Sequence, residues 1–326
     1  MKSTLVIRQA VRPWLDLVPA GETLLVAVSG GADSLALAAG TFLESRARAI
    51  KLRAVVVDHQ LQAGSLRVAK NTVERLKAIG YEQISLQLAK VQITDGLEAS
   101  ARRARYEIFE QVLKEFEAKY LFLGHTQSDQ AENVLLGLAR GSGTRSLSGM
   151  APVNGCYIRP LLEVSRKTTE SCCNENGISF WLDPQNSDEK YARSRVRHKI
   201  LPILEKELGP KIEEGLARTA RILREDADAL DELAVAYLVG KAVDSLEVAS
   251  LGSIPKAIRA RVLRRAITVA GAPLGSISAD HLAPVEALIT EWSGQGEIDL
   301  PGGVKVTRIS GRLSLSNTKE NRGSGK

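Results

Sequence analysis

The first 200 residues of the chain alternate short, continuous apolar runs with segments of helical periodicity. Continuous apolar runs are typical of the strands of a parallel sheet, because helices cover such a sheet on both faces. The predicted strands and helices, in chain order, are strand 24–28, helix 33–47, strand 54–57, helix 65–79, strand 84–88, helix 96–119, strand 120–123 and helix 128–139. We therefore expect an α/β domain with a parallel sheet of about five strands flanked by helices.

Polar residues follow three of these runs directly, at 29–34, 58–59 and 124–132. The carboxyl ends of parallel strands lie at one edge of their sheet, and ligands bind beyond that edge. The sequence therefore places three polar clusters where such a sheet binds its ligand.

The pattern changes near residue 210. Apolar residues from Ile212 to Leu238 follow helical spacing, which predicts one long amphipathic helix. Further helices are expected over 256–270 and 279–292, with short strands near the end of the chain. The predicted organisation is a first domain over 1–210, a small, mainly helical domain over 211–316 and a polar, flexible tail over 317–326.

Charge and cysteine content limit the class of protein. The formal net charge of +6 suits a polyanionic partner without requiring one. Three cysteines (Cys156, Cys172 and Cys173) with no CxxC pair argue against a disulfide framework and a cysteine-held cluster. The start of the chain does not resemble a signal peptide, and no run approaches the roughly 20 apolar residues of a membrane span. A soluble, cytoplasmic protein with no membrane partner is expected.

The loop Ser29-Gly30-Gly31-Ala32-Asp33-Ser34 follows a predicted buried strand and opens a helix. Glycines let backbone N–H groups approach a phosphate closely, and a helix amino terminus adds partial positive charge. The loop lacks the Gly-Lys-Ser/Thr ending of a Walker loop and the GxGxxG of dinucleotide binders. A plain strand-to-helix turn is the alternative, but the complete six-residue string in this setting favours a phosphate site.

SGGADS resembles the SGGxDS loop of the N-type ATP pyrophosphatases, and the chain as a whole resembles the tRNA(Ile)-lysidine synthetases. The elements that carry the second resemblance are Asp58-His59, Ala101-Arg102-Arg103-Ala104-Arg105-Tyr106, Gly124-His125-Thr126-Gln127-Ser128-Asp129-Gln130-Ala131-Glu132, Arg140-Gly141-Ser142-Gly143, Arg159-Pro160-Leu161-Leu162, Asp183-Pro184-Gln185-Asn186, Arg193 to Arg197, and Pro202. They follow the family's order between residues 24 and 202. The segment ending in Leu300-Pro301-Gly302-Gly303 is less closely similar to the family's first C-terminal domain.

The chain departs from the family pattern at four positions. Ser194 stands where the family usually has Asn, and Asn133 where Thr is frequent. Gln60 and Gln62 stand where Gly and Arg are common. The resemblance therefore assigns no role to residues 60–62 and 194.

The resemblance implies an ATP-using ligase with a catalytic domain followed by a tRNA- or substrate-binding domain. ATP with Mg²⁺ would adenylate the wobble cytidine of a tRNA(Ile) with a CAU anticodon, and free lysine would then displace AMP. The product, lysidine, changes codon specificity from AUG to AUA and identity from Met to Ile. The oligomeric state stays open, with a homodimer among the options. The alternatives are a tRNA 2-thiocytidine synthetase, which would carry CxxC pairs, and a non-enzymatic nucleotide-binding protein.

The resemblance also implies the site residues. The expected catalytic residues are Asp33, Arg102, Arg105, Asp129, Glu132, Arg193 and Arg197. The expected nucleotide-binding residues are Ser29, Gly30, Gly31, Ala32, Asp33, Ser34, Asp58, His59 and His125. The magnesium ligands are left unassigned.

Several of these side chains also have a plain structural interpretation. Arg102 and Arg105 share a helix face, which could bind phosphate or be a solvated surface paired with Glu98. Asp129 and Glu132 also share a face at a helix start. They could hold an ammonium group or act as acidic residues that stabilise the helix amino terminus. His125 could pack near the nucleotide or be an ordinary core histidine.

The basic residues further along the chain also have two interpretations. They are Arg193, Arg195 and Arg197, the stripe Arg218, Arg221 and Arg224, and the cluster Arg259, Arg261, Arg264 and Arg265. Phosphate contact and a solvated or salt-bridged surface are both open for them. The adjacent Cys172 and Cys173 are expected to be ordinary helix residues.

Overall fold

The structure is a computed structural model that describes residues 2–62, 64–94, 96–141, 143–183, 188–273 and 275–318, without the side chain of Glu98. The expectations for Ser142, for Pro184-Gln185-Asn186 and for tail residues 319–326 lie outside the described residues. The chain forms two compact units, Met1–Arg224 and Glu225–Lys326.

The first unit contains a six-stranded sheet. Its strands are β1 (Thr23–Ala27), β2 (Lys51–Asp58), β3 (Ile84–Leu88), β4 (Ala118–Leu123), β5 (Val153–Asn154) and β6 (Tyr157–Ile158). Their order is β3-β2-β1-β4-β6-β5, and every neighbouring pair is parallel except β5 with β6. The predicted parallel α/β fold is confirmed. The sheet has six strands because a two-residue antiparallel hairpin, too short to leave a periodic signal, adds its edge.

Helices precede, connect and follow these strands. The helices of the first unit are α1 (Lys2–Leu15), α2 (Ala32–Ser45), α3 (Ser65–Ile79), α4 (Leu97–Glu115), α5 (Gln127–Ala139), α6 (Thr144–Leu147), α7 (Arg166–Glu175), α8 (Ala192–Arg195), a π-helical turn (Val196–Ile200) and α9 (Leu201–Leu208). The next helix is α10 (Ile212–Leu238), and the boundary between the two units lies within it, after Arg224. The sequence analysis located α2 to α5 and α10 but assigned no helix to α1 or α7.

Consecutive residues of β1 point to opposite faces of the sheet and enter two different cores. Leu24 and Val26 pack in a cluster that contains residues of α1, α2 and α7, including Ile7. Leu25 packs on the other face with residues of α4, among them Phe109. The continuous apolar sequence of β1 is therefore required by helices on both sides, as expected for a buried parallel strand.

The second unit has its own core. Besides the end of α10, it contains α11 (Val248–Ser253), α12 (Lys256–Val269), α13 (Ala279–Thr290), β7 (Ser245–Glu247), β8 (Ile298–Leu300), a 3₁₀ turn (Pro301–Gly303), β9 (Val304–Ile309) and β10 (Arg312–Asn317). The strands form an antiparallel sheet in the order β7-β10-β9-β8. Helices α12 and α13 and the late strands follow the sequence prediction, whereas β7 and α11 were not predicted. Among the described residues, no helix is long and apolar enough to span a bilayer.

Candidate active site

The loop between β1 and α2 is held by its own serines. The backbone N–H of Ser29 donates to Ser34 Oγ over 3.2 Å, and Ser34 Oγ donates to the Gly31 carbonyl over 3.0 Å. Gly30 has a φ of +91°, and a Cβ at this position would collide with Thr72 Oγ1. Residue 30 must therefore be glycine both for its backbone conformation and for the close approach of α3.

Helix α2 begins directly at this loop. Its N-cap residue, Gly31, has no side chain to cap the first backbone N–H groups, and these groups have no partner within a helix. All loop residues except Gly30 line a cavity of about 630 Å³ beyond the carboxyl ends of the strands. The amino terminus of α2 therefore offers N–H donors and partial positive charge at this cavity, which suits a phosphate group.

Asp33, in the first turn of α2, is held by two residues of α7. Thr169 Oγ1 donates to Asp33 Oδ1 over 2.5 Å, and Arg166 Nη1 lies 3.5 Å from Asp33 Oδ2. Burial raises the pKa of Asp33, against the lowering effects of the Thr169 hydrogen bond and the Arg166 charge. Neither partner was predicted, because α7 itself was not.

The end of β2 contributes two side chains with unpaired buried atoms. Asp58 is 3% exposed, and its Oδ1 accepts the backbone N–H of Gln60 over 2.9 Å. Its Oδ2 is buried and has no hydrogen-bond partner among the described residues, and the same holds for His59 Nδ1. An unpaired buried polar atom is costly, so both atoms, in residues that line the cavity, suit a polar ligand.

His59 is linked to the predicted arginine face of α4. Arg105 Nε donates to His59 Nε2 over 3.0 Å. Burial and the nearby Arg105 charge lower the pKa of His59 to about 4. Arg102 lies over the ring of Tyr106, with its Cζ 4.9 Å from the ring centroid. Both arginines are exposed and line the cavity. Because the side chain of Glu98 lies outside what is described, the choice between phosphate binding and a surface paired with Glu98 stays open.

The segment after β4 forms the third side of the cavity. The backbone N–H of Thr126 donates to Asp129 Oδ2 over 2.8 Å, which closes a capping box at the start of α5. Asp129 thus has the capping role that was considered for it, and it lines the cavity as well. Burial, the largest cause, lowers the pKa of His125 to about 4, and its Nδ1 has no partner among the described residues.

Arg197, in the π-helical turn, bridges both predicted acids. Its Nε donates to Glu132 Oε1 over 2.5 Å, and its Nη2 donates to Asp129 Oδ1 over 3.3 Å. Burial raises the pKa of Glu132 to about 7, and the Arg197 charge opposes this shift. Arg193 also contacts α5, the helix that carries both acids, because its Nη2 donates to Asn133 Oδ1 over 2.8 Å.

The predicted site residues converge on one cavity. Its lining includes Ser29, Gly31, Ala32, Asp33, Ser34, Asp58, His59, Arg102, Arg105, His125, Asp129, Glu132, Arg193 and Arg197. The volume is in the range of small-molecule sites. Arg195 is absent from this lining and donates to the carbonyls of Glu189 and Lys190 instead.

The lining also contains residues that were not predicted as site residues, among them Arg166, Trp181, Asp183 and Tyr191. The backbone N–H of Trp181 donates to the Gly30 carbonyl over 2.9 Å, and Asp183 accepts from Gln62 Nε2 over 3.1 Å. Asp183 opens a motif that was quoted for the resemblance, so its sequence signal was present. Arg166 and Tyr191 left no comparable signal, since only the fold brings them to the cavity.

The basic residues beyond the cavity divide into structural and exposed groups. Arg224 donates to the carbonyls of Ser148 and Gly149 over 2.8 and 2.7 Å. In the second unit, Arg259 is 8% exposed and pairs with Glu286 at 2.7 Å. For Arg259 the structure therefore supports the salt-bridged alternative. Arg218 and Arg265 are exposed.

The comparisons with known proteins agree with this fold. The family model described as the PP-loop domain matches residues 4–204. The U34-tRNA thiolase NcsA from Methanococcus maripaludis, with its [4Fe-4S] cluster, shares the fold with a TM-score of 0.57 at 19% identity, covering 68% of this chain and 79% of that one. Fold, loop and cavity thus define the first unit as a PP-loop domain, the class that implies ATP use.

The second family model, described as the TilS substrate binding domain, matches residues 246–314. The tRNA(Ile)-lysidine synthase of Thermobifida fusca is 45% identical over 95% of this chain and 96% of its own length. That of Streptomyces coelicolor is 47% identical over 91% and 86%, respectively. The chain belongs to the tRNA(Ile)-lysidine synthase family, whose members are ATP-using ligases. Membership in this family supports neither of the two alternatives, a tRNA 2-thiocytidine synthetase or a non-enzymatic nucleotide-binding protein.

Proposed function

We propose that this chain ligates free lysine to the wobble cytidine of the CAU-anticodon tRNA(Ile) in the cytoplasm, with consumption of ATP. The observation that carries the proposal is the shared cavity of the SGGADS loop and the Asp129–Glu132–Arg197 cluster, in a chain that matches both domains of the family. The cavity offers guanidinium groups for phosphate and carboxylates for an ammonium group, which are the two kinds of charge that the reaction must hold.

In the first step, the cytidine 2-oxygen attacks the α-phosphorus of ATP, and the bond to pyrophosphate breaks. The start of α2 would hold phosphate oxygens through its backbone N–H groups. Arg102 and Arg105 would stabilise the charge that develops on the leaving pyrophosphate. The unpaired buried atoms of Asp58 and His59 would hydrogen-bond the nucleoside part. His59 and His125 would be neutral near pH 7, because burial lowers their pKa values to about 4.

Magnesium would enter with ATP rather than reside in the protein. Among the described residues, no group of three or more His, Cys, Asp or Glu side chains could hold a metal ion by itself. This fits Mg²⁺, which is usually bound through one or two carboxylates plus substrate phosphates. Asp33 is the best placed carboxylate, since it lies in the phosphate loop and lines the cavity. Bound there, Mg²⁺ would neutralise phosphate charge during adenylation.

In the second step, the lysine ε-amine attacks C2 of the adenylated cytidine. The bond from C2 to the AMP oxygen breaks, and the amine loses its protons. Asp129 and Glu132 would hold the α-ammonium group through charge-assisted hydrogen bonds. The contacts of Arg197 orient the two acids and neutralise part of their charge. Of the two, Asp129 is the more accessible, with 17% exposure against 1%.

Nucleoside mass analysis tests the function directly. Purified protein is incubated with unmodified tRNA(Ile), ATP, Mg²⁺ and lysine, and the tRNA is digested. The expected product is a cytidine derivative heavier by lysine minus water, which appears only when all components are present. A tRNA with a non-CAU anticodon is the matched control. Pyrophosphate release without this product would contradict lysine as the substrate, and absence of both would contradict the function.

A further inference from the structure

One face of α7 contacts the first turn of α2 through three residues. Arg166, Thr169 and Cys173 are spaced three and four residues apart, so they share one side of the helix. Arg166 and Thr169 both contact the Asp33 carboxylate, and Cys173 Sγ donates to the carbonyl of Ala32 over 3.4 Å. Helix α7 therefore contacts Ala32 and Asp33, the first two residues of α2.

Of the two residues that contact the Asp33 carboxylate, Thr169 is the buried one, whereas the Arg166 side chain is 29% exposed. Thr169 is 0% exposed, and its Oγ1 lies 2.5 Å from Asp33 Oδ1 and 2.7 Å from the Arg166 carbonyl. A hydroxyl has a single proton to donate. An ionised carboxylate is a stronger acceptor than a carbonyl, so this proton goes to Asp33. The other carboxylate oxygen, Oδ2, faces the Arg166 guanidinium, and the Asp33 side chain keeps 18% exposure.

We propose that Thr169 is a positioning residue that holds the Asp33 carboxylate in the orientation needed for adenylation. The inference rests on the proposed role of Asp33 at the phosphate loop. Without the Thr169 hydroxyl, the aspartate side chain can rotate among its staggered conformations, of which only some direct the carboxylate into the cavity. Preorganisation of a charged group at the reacting centre contributes to rate rather than to substrate affinity.

The test compares Thr169→Val, which removes the hydroxyl and keeps the shape, with Thr169→Ser, which keeps the hydroxyl. Thr41→Val is the matched control, since Thr41 is also 0% exposed and donates to the carbonyl of Leu37. In tRNA-dependent pyrophosphate release, Thr169→Val should lower kcat about tenfold or more, as expected for a lost hydrogen bond to a charged group. The KM for ATP should change less than about threefold, and Thr169→Ser should restore most of kcat.

Thermal melting separates positioning from folding. Thr169→Ala, which removes the hydroxyl without placing a methyl group beside the carboxylate, is measured in parallel, at a temperature at which each variant is folded. Equal kcat in wild type, Thr169→Val and Thr169→Ala would overturn the inference. So would a loss of kcat that Thr41→Val reproduces or that Thr169→Ser does not reverse. Failure of the proposed adenylation is a different result, because the wild type itself would then release no pyrophosphate with tRNA.

Discussion

Arg197 Nε lies 2.5 Å from Glu132 Oε1, and the two residues are 65 positions apart in the chain. The Glu132 side chain is 1% exposed and that of Arg197 is 22% exposed, so the pair is shielded from solvent. It joins α5 to the π-helical turn, two segments whose motifs are separate in the sequence. Asp129 and Glu132 were expected to bind a substrate. Through Arg197 they also connect two segments that line the cavity.

Removal of Arg197 should therefore destabilise the fold. Arg197→Met leaves Glu132 buried without its counter-charge, which typically costs about 3–5 kcal/mol in free energy of unfolding. The control is Lys199→Met, which removes an ion pair with Glu189 whose side chains are 52% and 58% exposed. That pair should contribute less than about 1 kcal/mol. Urea denaturation of both variants measures the difference, and equal losses would show that the Arg197 pair is no more than a surface contact.

The sequence was sufficient to predict the parts of the site that local patterns determine. The apolar run of β1 and the glycines that follow it locate the phosphate loop, because together they form one contiguous pattern over residues 24–31. The contacts of Thr169 and Arg166 with Asp33 could not be predicted in this way. They join residues 136 and 133 positions apart, and α7 has the sequence RKTTESCCNE, in which no apolar stripe indicates a packed helix.

The close packing of Gly30 against Thr72 of α3 can be tested by a pair of substitutions. Gly30→Ala should lower stability by about 1 kcal/mol or more, because φ is +91° and the new Cβ meets Thr72 Oγ1. Thr72→Ala in the same chain removes the collision but not the backbone strain, so it should restore only part of the stability. A double-mutant cycle by thermal melting gives the coupling. Additive losses would contradict the close approach of Gly30 and Thr72.

The buried histidine at the end of β4 makes stability depend on pH. Burial lowers the folded-state pKa of His125 to about 4, below the ordinary value of 6.5. Between these values the unfolded chain binds a proton that the folded chain does not, so stability is lost as the pH falls from 6.5 towards 4. The contribution is at most about 1.4 kcal/mol per pH unit.

His125→Gln should remove that contribution, and the difference between its stability curve and that of wild type isolates it. The comparison is needed because Glu132 acts in the opposite direction. Its pKa is raised to about 7, so its effect on stability becomes more favourable as the pH falls from 7 towards 4.5. Denaturant melts at half-unit pH steps measure both curves. Parallel curves between pH 6.5 and 4 would show that His125 is protonated in the folded protein.

Asp129→Asn distinguishes a substrate-binding acid from a capping residue. If Asp129 holds the lysine ammonium group, the amide should raise the lysine requirement strongly while adenylated tRNA still accumulates, which ATP labelled at its α-phosphate detects. If Asp129 acts only through its bond to the Thr126 N–H, the variant should lose roughly 0.5–2 kcal/mol of stability with unchanged lysine dependence. Loss of adenylation itself would assign the residue to the first step.

The position of the domain boundary predicts how fragments behave. A fragment that ends at Pro210 lacks the Arg224 contacts with Ser148 and Gly149 and the bond from Ser128 Oγ to Glu213. A fragment that ends at Arg224 keeps all of them. The longer fragment should therefore melt higher and bind ATP at least as tightly. Equal melting temperatures would mean that these contacts of α10 do not stabilise the first unit.

Binding of tRNA should depend on the second unit. We expect the full chain to bind tRNA(Ile) with an affinity that falls steeply as salt rises, because basic side chains that contact phosphates displace counterions. The fragment that ends at Arg224 should bind more weakly and with a shallower salt dependence, since it lacks the exposed Arg265 and the other basic residues beyond that point.

Two point variants separate an exposed arginine from a structural one. Arg265→Gln in the full chain should reduce the salt slope by about one phosphate contact. Arg259→Gln should instead lower stability through loss of its buried pair with Glu286. Filter binding at several salt concentrations measures the slopes. Identical slopes for the fragment and the full chain would place tRNA binding entirely in the first unit.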